Sequence, residues 1–322
     1  MQLLPHFKGR NLIPPGLVLP LMRWSRVFFV ISMAMVVASI ALFALVGLNY
    51  GVDFKGGTMV EVQSKASKAD ISDMRSKLSG LGLGDVQIQS FGTQRDVLIR
   101  IVQQPGGEEA QQAALTKVLE ALGDDYERRR VEVVGPAVSS ELRTTGLIAV
   151  LCSIIAIILY VWFRFEWQFA VGAVVALAHD VLVTVGIFSL LQLEFDLSTV
   201  AALLTILGYS VNDTVVISDR IRENLRRYKR MPLVELLDRS LNETFARTLM
   251  TSMTTLVVLA ALFVLGGAVI HNFAFAMMFG VVIGTYSSLF IVAPLLLYLG
   301  VKRDWSGIAQ GAAVSEETRT AS

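Results

Sequence analysis

Six stretches of this 322-residue chain are apolar for about the length a helix needs to cross a bilayer, and they constrain the fold more than any other feature. A hydrocarbon core about 30 Å thick takes roughly 20 residues at 1.5 Å each. The stretches fall at 27–47, 146–163, 169–191, 197–218, 249–270 and 273–300. No water is available inside lipid to pair backbone N–H and C=O groups, so each run is expected to be a helix. Composition agrees, with 54% hydrophobic and 17% charged residues, well outside ordinary soluble usage. The fold class is therefore an α-helical polytopic membrane protein with six transmembrane helices. A net charge of +1 gives no footprint for nucleic acid, so charge acts here through its placement.

The arrangement is one span, then a long polar stretch, then five spans. This divides the chain into an N-terminal segment 1–26, a first span 27–47, a polar domain 48–145, a five-helix domain 146–300 with a basic loop at 219–248, and a tail 301–322. The apolar run of the first span is too long for a secretory signal and no small-residue cleavage pattern closes it, so it reads as an uncleaved span. Lys8, Arg10, Arg23 and Arg26 precede it, Arg164 lies between spans two and three, Arg222, Arg226, Arg227, Lys229, Arg230 and Arg239 crowd the basic loop, and Lys302 and Arg303 follow the last span. The turns 192–196 and 266–272 carry no lysine or arginine. Positive charge in short loops marks the cytoplasmic side, which places both termini there and 48–145 on the far side. In the basic loop Leu233, Leu237 and Leu241 recur every four residues after Pro232, the pattern of a short interfacial helix.

Residues 48–145 read as a small folded domain. The segment TMVEVQ from Thr58 alternates as a strand, and Ile71, Met74, Leu78 and Leu81 fall at helical spacing. DVQIQSFG and RDVLIRIVQ alternate again, a second helix runs over 107–122 with Leu115, Val118, Leu119 and Leu122 inward, and RRRVEVVG closes the unit. The order β-α-β-β-α-β is the ferredoxin-like arrangement. The domain holds no histidine, cysteine or nucleophile motif, so neither a metal, a cofactor nor an enzymatic reaction is expected of it. The single cysteine, Cys152, lies in a span and reads as a small core residue.

The polar residues inside the spans carry the functional question. Asp213 interrupts an apolar run, where insertion scales charge at least about 2.5 kcal/mol. On span four Leu204, Leu207, Val211 and Val215 form an apolar face suited to lipid, while Thr205, Gly208, Tyr209, Asn212 and Asp213 gather opposite. Arg247 begins a column of Thr251, Thr254 and Thr255 on span five. Asp213 is then an interfacial carboxylate, one half of a static ion pair, or one half of a proton-switched pair. Asp180, beside His179, is a second intramembrane acid, either a hydrogen-bond hub or a proton carrier; neighbours about 100° apart on a helix are no ready-made dyad. Gly172, Ala176, Asp180 and Thr184, and again Gly280, Gly284 and Ser288, mark faces for close helix packing. Gly51, Gly56 and Gly57, with Asp53 among them, suit a tight turn into the first strand.

Several of these motifs resemble one family. NYGVDFKGG after span one, AHD within span three, LGYSVNDTVVISDRIREN closing span four and TFARTLMTS opening span five are similar to the SecF side of the SecD/SecF protein-export family, within the resistance-nodulation-division superfamily. The resemblance covers essentially the whole chain. It implies an accessory subunit of the bacterial inner-membrane Sec machinery, using the proton-motive force to assist preprotein translocation. Its superfamily uses twelve spans, so it implies that SecD supplies the missing half, with the SecYEG channel, the preprotein and protons as further partners. It favours the proton-switched reading of Asp213 and Arg247, with Asp180 as a weaker member of the relay, and makes the glycine turn a hinge or a seat against the partner half. The competing readings are a half-size proton-coupled transporter for a small lipophile, which would need a larger binding domain, and a passive scaffold, which would need no buried acids.

Overall fold

A computed structural model describes residues 19–301 except Asp85, Phe91 and Gly92. Most of the expected N-terminal segment and tail, with Lys8, Arg10, Lys302 and Arg303, lies outside the described residues. After a short 3-10 turn, α1 (Ser25–Leu45) forms the first long apolar helix. The chain then makes β1 (Asn49–Tyr50) and the single turn α2 (Val52–Lys55) before entering a small α/β domain. That domain runs β2 (Gly57–Ser64), α3 (Ile71–Ser79), β3 (Val86–Ser90), β4 (Asp96–Val102), α4 (Gly107–Leu122) and β5 (Tyr126–Val134). Its four strands are antiparallel in the order β3-β4-β2-β5, so the first strand is central and the chain closes on an edge.

The domain forms because alternation and helical spacing point the same way. Val60, Val62, Val97, Ile99 and Ile101 project from the central strands onto Met74 and Leu78 of α3 and Leu115, Val118 and Leu122 of α4, all buried. Asp70 fixes where α3 starts by accepting hydrogen bonds from the Ser72 and Asp73 amides at 3.0 Å each. The glycine turn has a stricter requirement. Gly57 sits at φ +127°, and a Cβ there would lie 2.4 Å from the Ile101 carbonyl oxygen of the neighbouring strand. Only glycine lets β2 begin with its backbone that close to β4.

The remaining spans are α5 (Pro136–Arg164), α6 (Trp167–Leu191), α7 (Leu197–Arg227) and α8 (Leu233–Leu265), then α9 (Ala268–Ser287) and α10 (Ala293–Leu299) joined by a π turn at Ser288–Val292. Between α6 and α7 lies the two-residue strand β6 (Glu194–Phe195), paired parallel to β1. Pro294 has no N–H to donate to the preceding turn and its ring crowds that turn, and the widened π geometry lies immediately before it. Small residues set the closest approaches: Gly186 of α6 lies against Ser39 of α1, Gly172 against Val292, and Gly280 and Gly284 of α9 against Ile206 and Ser210 of α7.

Four expectations are corrected. The short interfacial helix is not separate: Leu233 to Leu265 is one continuous helix, and Leu237 and Leu241 are buried in the core at that end rather than laid on lipid. The helices also run past their apolar stretches, α5 starting at Pro136 and α7 reaching Arg227. Cys152 is exposed on α5, not in the core. Finally, the apolar face of α7 does not meet lipid: Leu207 is fully buried, while Val211, Val215 and Leu204 pack against the two membrane clusters. The outward face is the polar one, with Thr205, Gly208 and Asn212 exposed.

Candidate functional site

The intramembrane acids sit on two neighbouring helices. α7 begins where Asp196 accepts hydrogen bonds from the Thr199 amide and hydroxyl at 2.7 Å each, and it then continues without interruption past Asp213. Asp213 is 2% exposed, and its Oδ2 finds no hydrogen-bond partner among the described residues. Buried acceptors are nearly always paired, so an orphan one on a carboxylate is a place for a proton, a water or a partner's donor. Arg247 on α8 is near enough to act electrostatically on this carboxylate, yet no direct bond joins them and Arg247 is exposed. The hydroxyls of Thr251, Thr254 and Thr255 all bond back to carbonyls of their own helix, so in this arrangement they do not serve Arg247.

Asp180 is differently placed. It is fully buried where α6, α7 and α9 meet, and its Oδ2 accepts from Ser210 Oγ at 2.6 Å and Ser287 Oγ at 2.8 Å. His179 corrects the helical-wheel expectation: its ring turns back so that Nδ1 lies 3.0 Å from Asp180 Oδ1, making the two a bonded pair despite their angular separation. The node extends toward α1, where Tyr286 is 2.9 Å from Ser32 Oγ and donates to the Phe28 carbonyl at 2.8 Å. Ser210, which donates to Asp180, lies one helical turn from Asp213 on α7, so α7 carries one acid and binds the other through a serine that the sequence alone does not single out. Asn212 and Gly208 stand exposed on the open polar face; a Cβ at Gly208 would meet nothing within 4 Å, so this glycine does not serve packing inside the chain.

The glycine turn builds a second junction. A Cβ on Gly51 would lie 2.8 Å from Glu194 Oε1, and Asp53 Oδ2 accepts from the Leu197 amide at 2.8 Å, so this turn is seated on the α6–α7 connection. Gly56, at φ +74°, faces Gln103 and Ser139. Arg143 of α5 donates to the Phe54 carbonyl, and Asn272 of α9 donates to the Glu194 carbonyl at 3.1 Å. At the opposite end of the bundle, Arg164 bridges Asp219 at 3.2 Å, and Asp238 and Asn242 of α8 bind the backbone of Met22 and Leu19. One end of the bundle thus gathers the start of α1, the α5–α6 turn and the basic hairpin, and the other gathers the α/β domain. Among the described residues no cluster of three or more His, Cys, Asp or Glu side chains could hold a metal ion.

A six-span bundle carrying a ferredoxin-like domain after its first helix, with acids buried between helices, defines a class of membrane protein. Residues 114–302 match the family described as protein export membrane protein SecD/SecF, C-terminal, and residues 41–68 match the SecD/SecF GG motif. The chain belongs to the SecD/SecF protein-export membrane protein family. It is 46% identical over 285 residues to the protein translocase subunit SecF of Vibrio alginolyticus, covering 88% of this chain and 90% of that protein. It is 44% identical to the protein translocase subunit SecDF of Brucella abortus, covering 91% of this chain but 38% of that longer protein. The crystal structure of SecDF from Thermus thermophilus, a translocon-associated membrane protein, superposes with a TM-score of 0.80 at 36% identity, covering 88% of this chain and 39% of that one.

Proposed function

We propose that the chain is an accessory subunit of the Sec protein-export machinery that works with SecD to couple proton movement to preprotein translocation. The observation that carries the coupling is Asp213, buried within α7 with an unpaired oxygen and Arg247 acting on it from α8 without touching it. Ionised, the carboxylate draws Arg247 in; protonated, it releases Arg247 to water or to the hydroxyls of Thr251 and Thr255. The two helices then have two arrangements. One elementary charge crossing the membrane supplies about 2.3 kcal/mol per 100 mV, enough to bias such a pair without a nucleotide. The chain acts by contact and movement, not by chemical conversion.

Several features support SecD as the missing half. Asn212 faces outward from a membrane helix beside the exposed Thr205 and Gly208, where lipid gives its amide no partner. The chain matches 38% of a protein that unites both parts in one polypeptide. Positive charge on the Arg164 and Arg220–Arg230 end favours that end as cytoplasmic, with 48–145 in the periplasm. Matches over nearly the whole chain to translocase subunits favour export over a small-lipophile transporter. The test is export of a radiolabelled preprotein into vesicles reconstituted with SecYEG, the ATP-driven motor, SecD and this chain. Stimulation is expected only when both SecD and a proton gradient are present; equal stimulation after the gradient is collapsed would overturn the coupling.

A further inference from the structure

Outside the buried acids, one ionisable pair among the described residues joins the two halves of the molecule. Arg100 projects from β4 of the α/β domain and donates to Glu194 Oε2 on β6, between α6 and α7. Their side chains are 14% and 12% exposed, and Arg100 Nε finds no other partner among the described residues. Ninety-four positions separate the two in sequence, so the pair exists only because the domain is docked. Glu194 is also held on its own side: its backbone pairs with Asn49, its carbonyl accepts from Asn272, and its Oε1 lies against Gly51.

The surroundings are unusually acidic for a carboxylate whose charge would need support. Besides Arg100 of β4, the groups facing it or its cleft are Asp53 of α2, Asp196 at the start of α7, Glu132 and Arg130 of β5, Glu61 of β2 and His271 of α9. Arg130 is itself engaged with Glu132. We propose that Glu194 is a proton-binding site whose occupancy sets how firmly the α/β domain docks on the membrane domain.

The direction of the effect follows from linkage. Burial first, with Asp196, Asp53 and Glu132 adding to it and Arg100 opposing, pushes the Glu194 carboxyl up to about 7. When the domain lifts away the carboxyl is rehydrated and returns toward its ordinary value of 4.5, so the docked form binds the proton more tightly than the lifted form. Protons therefore favour docking. The contribution is complete below the ordinary value and is lost as pH rises through about 7, a shift in the docking equilibrium of about three hundredfold across that window. With the orientation inferred above, these protons come from the periplasm, so the acid outer face of a standing proton gradient closes the junction and collapse of that gradient loosens it. This mechanism rests on that orientation for its physiological sense but not for its chemistry.

Spin labels at Gln89 of β3 and Leu191 of α6, both exposed beside the pair, report the gap by pulsed EPR in a Cys152→Ala background, using the complex with SecD in nanodiscs without gradient or preprotein. The docked population should grow as pH falls from 9 to 5, with the rise setting in below about 7. Glu194→Gln should hold the low-pH distribution at every pH. Arg100→Gln should move that onset to higher pH, since the charge that lowers the carboxyl's proton affinity is gone. A distribution that does not respond to pH, or one that responds identically in Glu194→Gln, overturns the proposal. Because no export is measured, either result is independent of whether Asp213 couples proton flow.

Discussion

Gly57 is fixed by two independent constraints, a positive φ and a carbonyl oxygen where a side chain would begin. Gly57→Ala should therefore destabilise the α/β domain by at least about 2 kcal/mol, read as a lowered thermal midpoint. Gly80→Ala is the matched control: its φ is −78° and a Cβ there meets nothing within 4 Å, so a change within about 0.5 kcal/mol is expected. Glu194 shows what residue-level reading cannot reach. Asp213 was visible in the sequence because an acid in an apolar run costs free energy wherever the helix points. Glu194 lies in a short polar turn, where a carboxylate is unremarkable until a strand 94 positions away brings Arg100 to it.

The junction of α6, α7 and α9 depends on Asp180, whose Oδ2 accepts two serine hydroxyls from two other helices. Asp180→Asn keeps a carbonyl acceptor and should retain most of the stability of the complex. Asp180→Leu removes both cross-helix bonds and should cost about 1–2 kcal/mol, read as earlier thermal aggregation in detergent. Equal melting of the two variants would show that the bonds carry no weight. Helix existence at this scale was legible because long apolar runs have no other outcome in lipid. Helix orientation was not. Leu207 was read as lipid-facing and is fully buried, because lipid tails are as apolar as leucine and hydropathy cannot tell a membrane from a protein interior. The continuity of α8, whose first turns read as a separate interfacial helix, escapes the sequence for a related reason: charged residues end a span in a hydropathy reading, but they do not end a helix, which runs unbroken from Leu233.

At the scale of the whole molecule, the ferredoxin-like order and the one-then-five layout were both readable, since alternation and helical periodicity switch cleanly along 58–134. Which surfaces meet a partner was not readable, because that needs the faces of helices already packed. The exposed polar side of α7 leads us to expect that the purified chain alone gives no gradient-dependent stimulation, and that it gains thermal stability when SecD is co-expressed. A disulfide tethering the α/β domain to a neighbouring exported surface should slow export, with reductant restoring it; undiminished export at full cross-linking would count against a moving domain. The central claim is that a proton on Asp213 switches its interaction with Arg247 and so drives export. Its most direct measurement is proton flux and preprotein export in assembled complexes carrying Asp213→Asn, which has the shape of the protonated acid but cannot release a proton. We expect normal assembly with SecD, loss of gradient-driven stimulation and loss of proton flux, and the same from Arg247→Met. Wild-type flux and stimulation in correctly assembled Asp213→Asn complexes would contradict the account and leave the carboxylate a structural group.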